Sequence, residues 1–384
     1  MNISFSWGEG SATLAPKKRE GLADLCGNGL GVMARNRLGG ALLALLATQV
    51  PVWANDGYGG LSATGLTFGR TDAVAMEEEE LFISLDRVEV NYLFRNKTDS
   101  DVTGEVIFPM PPIALADLVV MDWNLPEDRS VKDILAFTAE VDGKPVAVNI
   151  DLIAVIPPKM GEDAPVSASY DTPGRDVTAL LEKYQIPIGL DAEAVLNRLA
   201  QLDQAALDDL QSEDVIEFFG EPRKMQPDEI YAKWSVVYRY HWTQTFPAKS
   251  AMRIKHGYDN RPSGGIFTWT DPPKEEWNKD VADKYCIDAG TSKGIMKALG
   301  GAGEKGYIGG GASYISYVLR TANSWAGPIS KFKLTLDKGD PKNIISLCAD
   351  GLKKVTPTRF VMEKTDFSPD KDLEVLVVYA LDLE

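Results

Sequence analysis

With 56 acidic against 40 basic side chains in 384 residues, the chain carries a net charge of −16. A surface that negative repels phosphate backbones and anionic lipid, which excludes nucleic-acid and membrane-surface binding as expected roles. Three cysteines without a CxxC motif give an oxidoreductase reading no support, and two histidines cannot build a histidine-rich zinc site.

The first element in chain order is a leader. Arg35 and Arg37 form a short positive region, Leu38 to Val52 is an almost uncharged apolar run, and Val52-Trp53-Ala54 precedes the polar Asn55. This is the three-part pattern of a secretory signal peptide. The apolar core from Ala41 to Val52 is shorter than the roughly 20 residues a spanning helix needs. The expectation is therefore a true start at Met33, an over-called segment upstream of it, and a mature chain from Asn55 that is periplasmic or secreted. Without the leader's five basic and three acidic residues, 35 basic and 53 acidic remain, a net charge of −18 over 330 residues. That length suits two domains, or one with a sizeable insertion. Two cysteines remain, Cys286 and Cys348. An oxidising compartment and an even count argue for one disulfide between them; two buried free thiols are the competing reading.

From Leu81 to Pro109 the chain alternates as strands do. Val88, Val90, Tyr92 and Phe94 share one face, the polar turn Asn96 to Asp101 follows, and Val102, Gly104, Val106 and Phe108 resume the period of two until Pro109, Pro111 and Pro112. The pattern predicts an antiparallel hairpin. A second hairpin is predicted around Asp142-Gly143, between Phe137–Val141 and Val146–Leu152. Lys159 to Arg175 reads as a loop, and residues 176–219 as short acidic helices capped by Asp176, Asp191, Asp203 and Ser212. Trp234, Val236, Tyr238, Tyr240 and Trp242 form an aromatic alternating face, with Ala251 to Tyr258 the expected hairpin partner. Strands follow at Tyr314–Thr321, Phe332–Leu336, Ile344–Cys348, Arg359–Glu363 and Leu373–Leu381. The fold class is mainly β (α+β): antiparallel β-sandwich regions at 55–170 and 225–384, with a helical insertion at 171–224.

No catalytic or metal-binding residue stands out, and no cofactor is implied. Gly290-Thr291-Ser292-Lys293-Gly294 matches GxSxG, but a hydrolase elbow needs a later histidine, and His241 and His256 both come earlier. Gly301 to Gly306 matches GxGxxG without the strand that a dinucleotide site requires, and reads as a flexible loop. His241 and His256 could meet across a hairpin and bind metal with one carboxylate; a solvated strand face for His241 is the simpler reading. Glu77 to Glu80 could attract calcium, and a charged approach that discourages edge pairing explains it more simply. The best binding candidate is the loop Phe267 to Trp277, where Trp269 and Trp277 on a proline-stiffened segment could stack on a sugar or anchor a protein; folding back over the aromatic strand is the competing reading.

Several segments together resemble a known family. They are Asn55-Asp56, Ala75-Met76-Glu77, Leu81-Phe82-Ile83-Ser84, Val88-x-Val90-x-Tyr92-x-Phe94-x-Asn96 and Phe108-Pro109-Met110-Pro111. Later come Phe332-x-Leu334, Asp337-x-Gly339-x-Pro341, Ser346-Leu347-Cys348 and Asp366-Phe367-x-Pro369. The chain resembles a bacterial exported family catalogued as a domain of unknown function, number four-four-two-four of that series. The resemblance spans nearly all of the mature chain, supports export and the Cys286–Cys348 pairing, and carries no catalytic residues. The Tyr92/Phe94 to Phe108-Pro109 pattern is also similar to sandwich modules of the inter-alpha-trypsin type, which serve in protein interaction. The expected function is a non-catalytic binding or interaction module of the cell envelope, with a protein or glycan as partner. The alternative is an envelope hydrolase acting on glycan or peptide through paired carboxylates.

Overall fold

The computed structural model describes residues 57–62, 65–68, 71–110, 112–120, 124–159, 174–218, 230–300 and 308–381. All of them belong to one compact unit, Gln49–Glu384. The leader, the GxGxxG segment and most of the loop after Lys159 lie outside the described residues.

Among the described residues, twenty-one strands fall into three main sheets and a short ribbon. In chain order they are β1 Gly57–Ser62, β2 Gly65–Phe68, β3 Val74–Ile83, β4 Arg87–Asn96, β5 Val102–Pro109, β6 Ile113–Ala114 and β7 Thr138–Val141. Next come β8 Lys144–Pro145, β9 Asn149–Ile156, β10 Arg175–Asp176, β11 Ile216–Phe218, β12 Ile230–Ala232, β13 Ser235–Phe246 and β14 Ala251–Asp259. The last are β15 Ser263–Trp269, β16 Ile308–Tyr317, β17 Ile329–Asp337, β18 Ile344–Ser346, β19 Lys353–Lys354, β20 Arg359–Phe367 and β21 Leu373–Tyr379. An eight-stranded sheet runs β19-β20-β17-β3-β4-β14-β7-β8, and a seven-stranded sheet runs β10-β9-β13-β5-β1-β2 with β6 also on β13. The β11-β12 ribbon stands apart, and β15-β16-β21-β18 forms a four-stranded sheet. The fold is mainly β, with antiparallel pairing throughout except for β3 and β17, which run parallel.

The two large sheets share one core. Phe94 of β4 meets Phe246 of β13 edge-on at 5.8 Å, and Phe108 of β5 lies 5.5 Å from His256 of β14. Aromatic pairs of this kind span the roughly 10 Å between packed sheets. On β4 the burial alternates, with Val88, Val90, Tyr92 and Phe94 inward. On β13 eight successive residues, Ser235 to Trp242, are buried, so both faces are covered along that stretch.

In the four-stranded sheet, β21 is also buried on both faces. Val375 and Val377 join the large core, while Leu376 and Val378 join a smaller one with Phe267, Trp269, Tyr285 and Ile295. Helices Glu276–Lys284 and Ala289–Ala298 supply part of that smaller core. Cys286 and Cys348 form a disulfide, and Ser346 Oγ donates to the Tyr285 carbonyl at 2.8 Å beside it. The disulfide thus ties the end of the helix Glu276–Lys284 to the end of β18 in the small sheet.

Three strand pairings differ from the sequence expectation. The first predicted hairpin does not pair: β4 lies in the eight-stranded sheet and β5 in the seven-stranded sheet. The aromatic strand β13 and its expected partner β14 are separated in the same way. Around Asp142-Gly143 a tight turn does form, both residues having positive φ, but only β7 and β8 pair across it before the chain crosses to β9 in the other sheet. In each case both strands turn an apolar face to the one core between the sheets, so their alternation is the same as that of a hairpin.

These crossings also correct the division into β regions 55–170 and 225–384. Strands from both stretches interleave in each large sheet, and β13 lies directly between β9 and β5. The helical segment comprises Thr178–Lys183, Ala192–Ala200 and Gln204–Ser212, with Asp191 and Asp203 capping the second and third by accepting from Ala194 N and Ala206 N at 2.9 Å. The helix expected after Ser212 is instead strand β11, paired with β12.

Candidate functional site

Period-two alternation on β13 sends Val236, Tyr238 and Tyr240 to the shared core and Val237, Arg239 and His241 to the opposite face. Register places Arg239 beside Asp151 of β9, and Thr243 beside Glu105 of β5, so these side chains share that opposite face. They form a polar row across three strands. His241 Nδ1 lies 2.9 Å from Glu105 Oε2, and Nε2 lies 3.0 Å from Asp151 Oδ2. Thr243 Oγ1 donates to the other oxygen of Glu105. His241 is therefore held by a hydrogen bond from one ring nitrogen to Glu105, while the other approaches Asp151 without making a hydrogen bond.

Arg239 is the unusual member. It is only 9% exposed. Among the described residues its guanidinium makes no hydrogen bond or ion pair; Asp176 and Asp151 act on it only through space, and burial pulls its pKa below the usual arginine range. A buried charge without a direct partner is costly, and natural folds rarely keep one without a use.

A cleft of about 800 Å³ lies at this place. Strand β10 pairs with β9 only at Val155 and Ile156, and the stretch Asp151 to Ile153, paired with β13 but not with β10, lines the cleft together with Arg239. The helical segment contributes Glu182, Ile188 and Asp191, and the loop Arg129 to Lys132 forms another wall. Arg129 Nη1 is buried without a hydrogen-bond partner. Of the acidic groups, Asp191 is engaged as a helix cap and Asp151 with His241. Ser130, a hydroxyl on the wall, donates to Asp128 Oδ1 at 2.6 Å and not to a histidine. The arrangement offers charged and hydrogen-bonding groups around an apolar-lined space, which is what a small-ligand site requires.

The residues singled out in the sequence lie elsewhere. Trp269 is fully buried in the small core, where its indole Nε1 donates to Ser292 Oγ at 3.0 Å, so it is not open to a ligand. Trp277 sits on the helix Glu276–Lys284 and is 42% exposed. The pair does not form one aromatic platform. Ser292 of the GxSxG match is inside the helix Ala289–Ala298, buried, and donates to Asp271 Oδ1 at 2.8 Å. No strand-to-helix elbow exists there, because Glu276–Lys284 is helical.

His241 and His256 do not meet. His256 is in the sandwich core against Phe137 and Phe108, on the other sheet. Among the described residues no group of three or more His, Cys, Asp and Glu side chains is arranged to hold a metal. The acidic run Glu77 to Glu80 is part of β3, an interior strand between β17 and β4, so edge protection is not its role. Glu77 pairs with Arg95 at 2.6 Å, and Glu78 with Arg253 and Lys331 at 3.3 and 3.2 Å. Basic residues on neighbouring strands thus pair the first two members of the run.

Sequence reasoning missed Arg239 and Asp151. Arg239 interrupts the aromatic run Trp234 to Trp242, and a basic residue in a strand buried on both faces was the available signal. No helix among the described residues is long and apolar enough to cross a membrane. Comparison with curated proteins finds no match. Among solved structures, the chain is similar to a proposed nutrient binding protein from Legionella pneumophila, with 15% identity, coverage of 84% of this chain and 72% of that one, and a TM-score of 0.36. The family model described as Domain of unknown function (DUF4424) matches residues 54–376, and the chain belongs to that family.

Proposed function

We propose that the protein is exported and acts as a non-catalytic binding module of the bacterial cell envelope, taking a small ligand with an anionic group into the cleft between β9, β13, the helical segment and the Arg129 loop. The observation that carries this reading is Arg239, a residue only 9% exposed that lines the cleft and whose guanidinium has no direct partner among the described residues. An anionic ligand supplies the missing partner, and a guanidinium fork binds carboxylate or phosphate oxygens two at a time. The Trp269/Trp277 loop is not part of the proposal, since only Trp277 is available to a partner. Export rests on the leader pattern ahead of Asn55.

The test is native mass spectrometry of the protein produced with its own leader and recovered from the periplasm. A chain starting at Asn55, with a small adduct that Arg239→Gln no longer retains, is the expected result. A chain that keeps the leader overturns export. An adduct unaffected by Arg239→Gln, or a bare protein that no anionic metabolite fraction shifts, overturns the cleft as the site.

A further inference from the structure

Opposite charges directly across two antiparallel strands normally pair, because their Cβ atoms are about 5 Å apart. Arg239 and Asp151 occupy such a register position, yet they form no ion pair. Asp151 turns Oδ2 to His241 Nε2 at 3.0 Å, and His241 is anchored from behind by Glu105. The Asp151 side chain is 46% exposed. Asp151 also lines the cleft. The fold thus keeps a cation and an anion side by side, without a direct ion pair between them, at the edge of one cavity.

Building on the binding-module reading, we propose that the cleft selects a zwitterion, a free α-amino acid or a short peptide end, with its carboxylate on Arg239 and its ammonium on Asp151. Three cations (Arg129, Lys132 and Arg239) and three carboxylates (Asp151, Glu182 and Asp191) line the cleft. A ligand carrying both charges therefore finds a partner for each, whereas a dianion also meets the carboxylates and a simple cation leaves Arg239 unmatched. An α-amino acid carries both charges within one short group and satisfies both. The remaining walls include Val131, Ile153 and Ile188, which suit an aliphatic side chain.

Calorimetric titration of the leaderless chain with L-leucine, L-leucyl-L-leucine, N-acetyl-L-leucine, L-leucinamide and succinate tests the proposal. Either zwitterion is expected to bind about tenfold or more tightly than both capped forms and succinate, since each capped form leaves one buried or half-buried charge unanswered. Arg239→Gln is expected to abolish binding. Asp151→Asn, at a half-exposed position, is expected to keep the fold and to remove the preference for L-leucine over N-acetyl-L-leucine. A purely structural role would weaken all ligands alike and leave that ratio unchanged, which would overturn the assignment. N-acetyl-L-leucine or succinate binding as tightly as L-leucine also overturns it, while leaving the anion-binding cleft intact. Failure of all five to bind overturns it as well, and a periplasmic adduct retained through Arg239 would then still identify a binding module for another ligand.

Discussion

Asn96, the last residue of β4, donates from Nδ2 to the carbonyl of Phe246, the last residue of β13, at 2.9 Å across the boundary between the two large sheets. The same Nδ2 reaches the Ser100 carbonyl at 2.8 Å, and Oδ1 accepts from Thr98 N and Thr98 Oγ1. Asn96 is fully buried, so one side chain pins both crossings, β4 to β5 and β13 to β14, at the same end of the sandwich.

Asn96→Ala removes these bonds and strands a buried carbonyl. The expected cost is about 2–3 kcal/mol in urea denaturation. Asn96→Asp is expected to be worse, because it replaces a donor by a second acceptor against two carbonyls. Equal stability of the aspartate variant and wild type at pH 7 would contradict this account.

The two tryptophans of the loop once grouped together should separate cleanly. Trp269→Ala empties a packed site next to Phe267 and strips Ser292 of a donor, with an expected loss of about 3–5 kcal/mol. Trp277→Ala, on a half-exposed helix face, is expected to cost under about 1 kcal/mol. Matched urea curves for the two variants decide the point.

Arg239→Met is expected to raise stability by about 1–2 kcal/mol while removing ligand binding. The substitution keeps most of the side-chain volume and discards an uncompensated buried charge. Thermal denaturation of the ligand-free variant is the measurement; a clear loss of stability would mean that the guanidinium supports the fold.

Alkaline pH should unfold the protein through its tyrosines. Burial pushes Tyr238 up to about 12 and raises Tyr240 and Tyr285 as well, Tyr240 additionally through the nearby Asp133 charge. Above pH 10 the unfolded chain releases these protons and the folded chain retains them. Stability therefore falls as pH rises from about 10 toward 12, by about 1.4 kcal/mol per pH unit for each such tyrosine. Absorbance at 295 nm should show these groups ionising together with loss of near-ultraviolet circular dichroism, not before it.

The sequence by itself determined the class of the fold and many of its local elements. Period-two burial on β4 and β13, the Asp-Gly turn, and the caps Asp191 and Asp203 are set by neighbours a few residues away, and such signals are written locally. The Cys286–Cys348 pairing was also legible, since of the three cysteines only these two lie beyond the leader pattern. Tertiary structure alone decided which strands pair. Val88 to Phe94 and Val102 to Phe108 present the same alternation whether they form a hairpin or face each other across a core, because alternation encodes one buried face and not the partner along the hydrogen-bonding edge. The site followed from that decision. Only the pairing of β13 with β9 and β5 brings Arg239, Asp151, His241 and Glu105 together from positions up to 136 residues apart, and no spacing within the sequence marks a row that runs across strands.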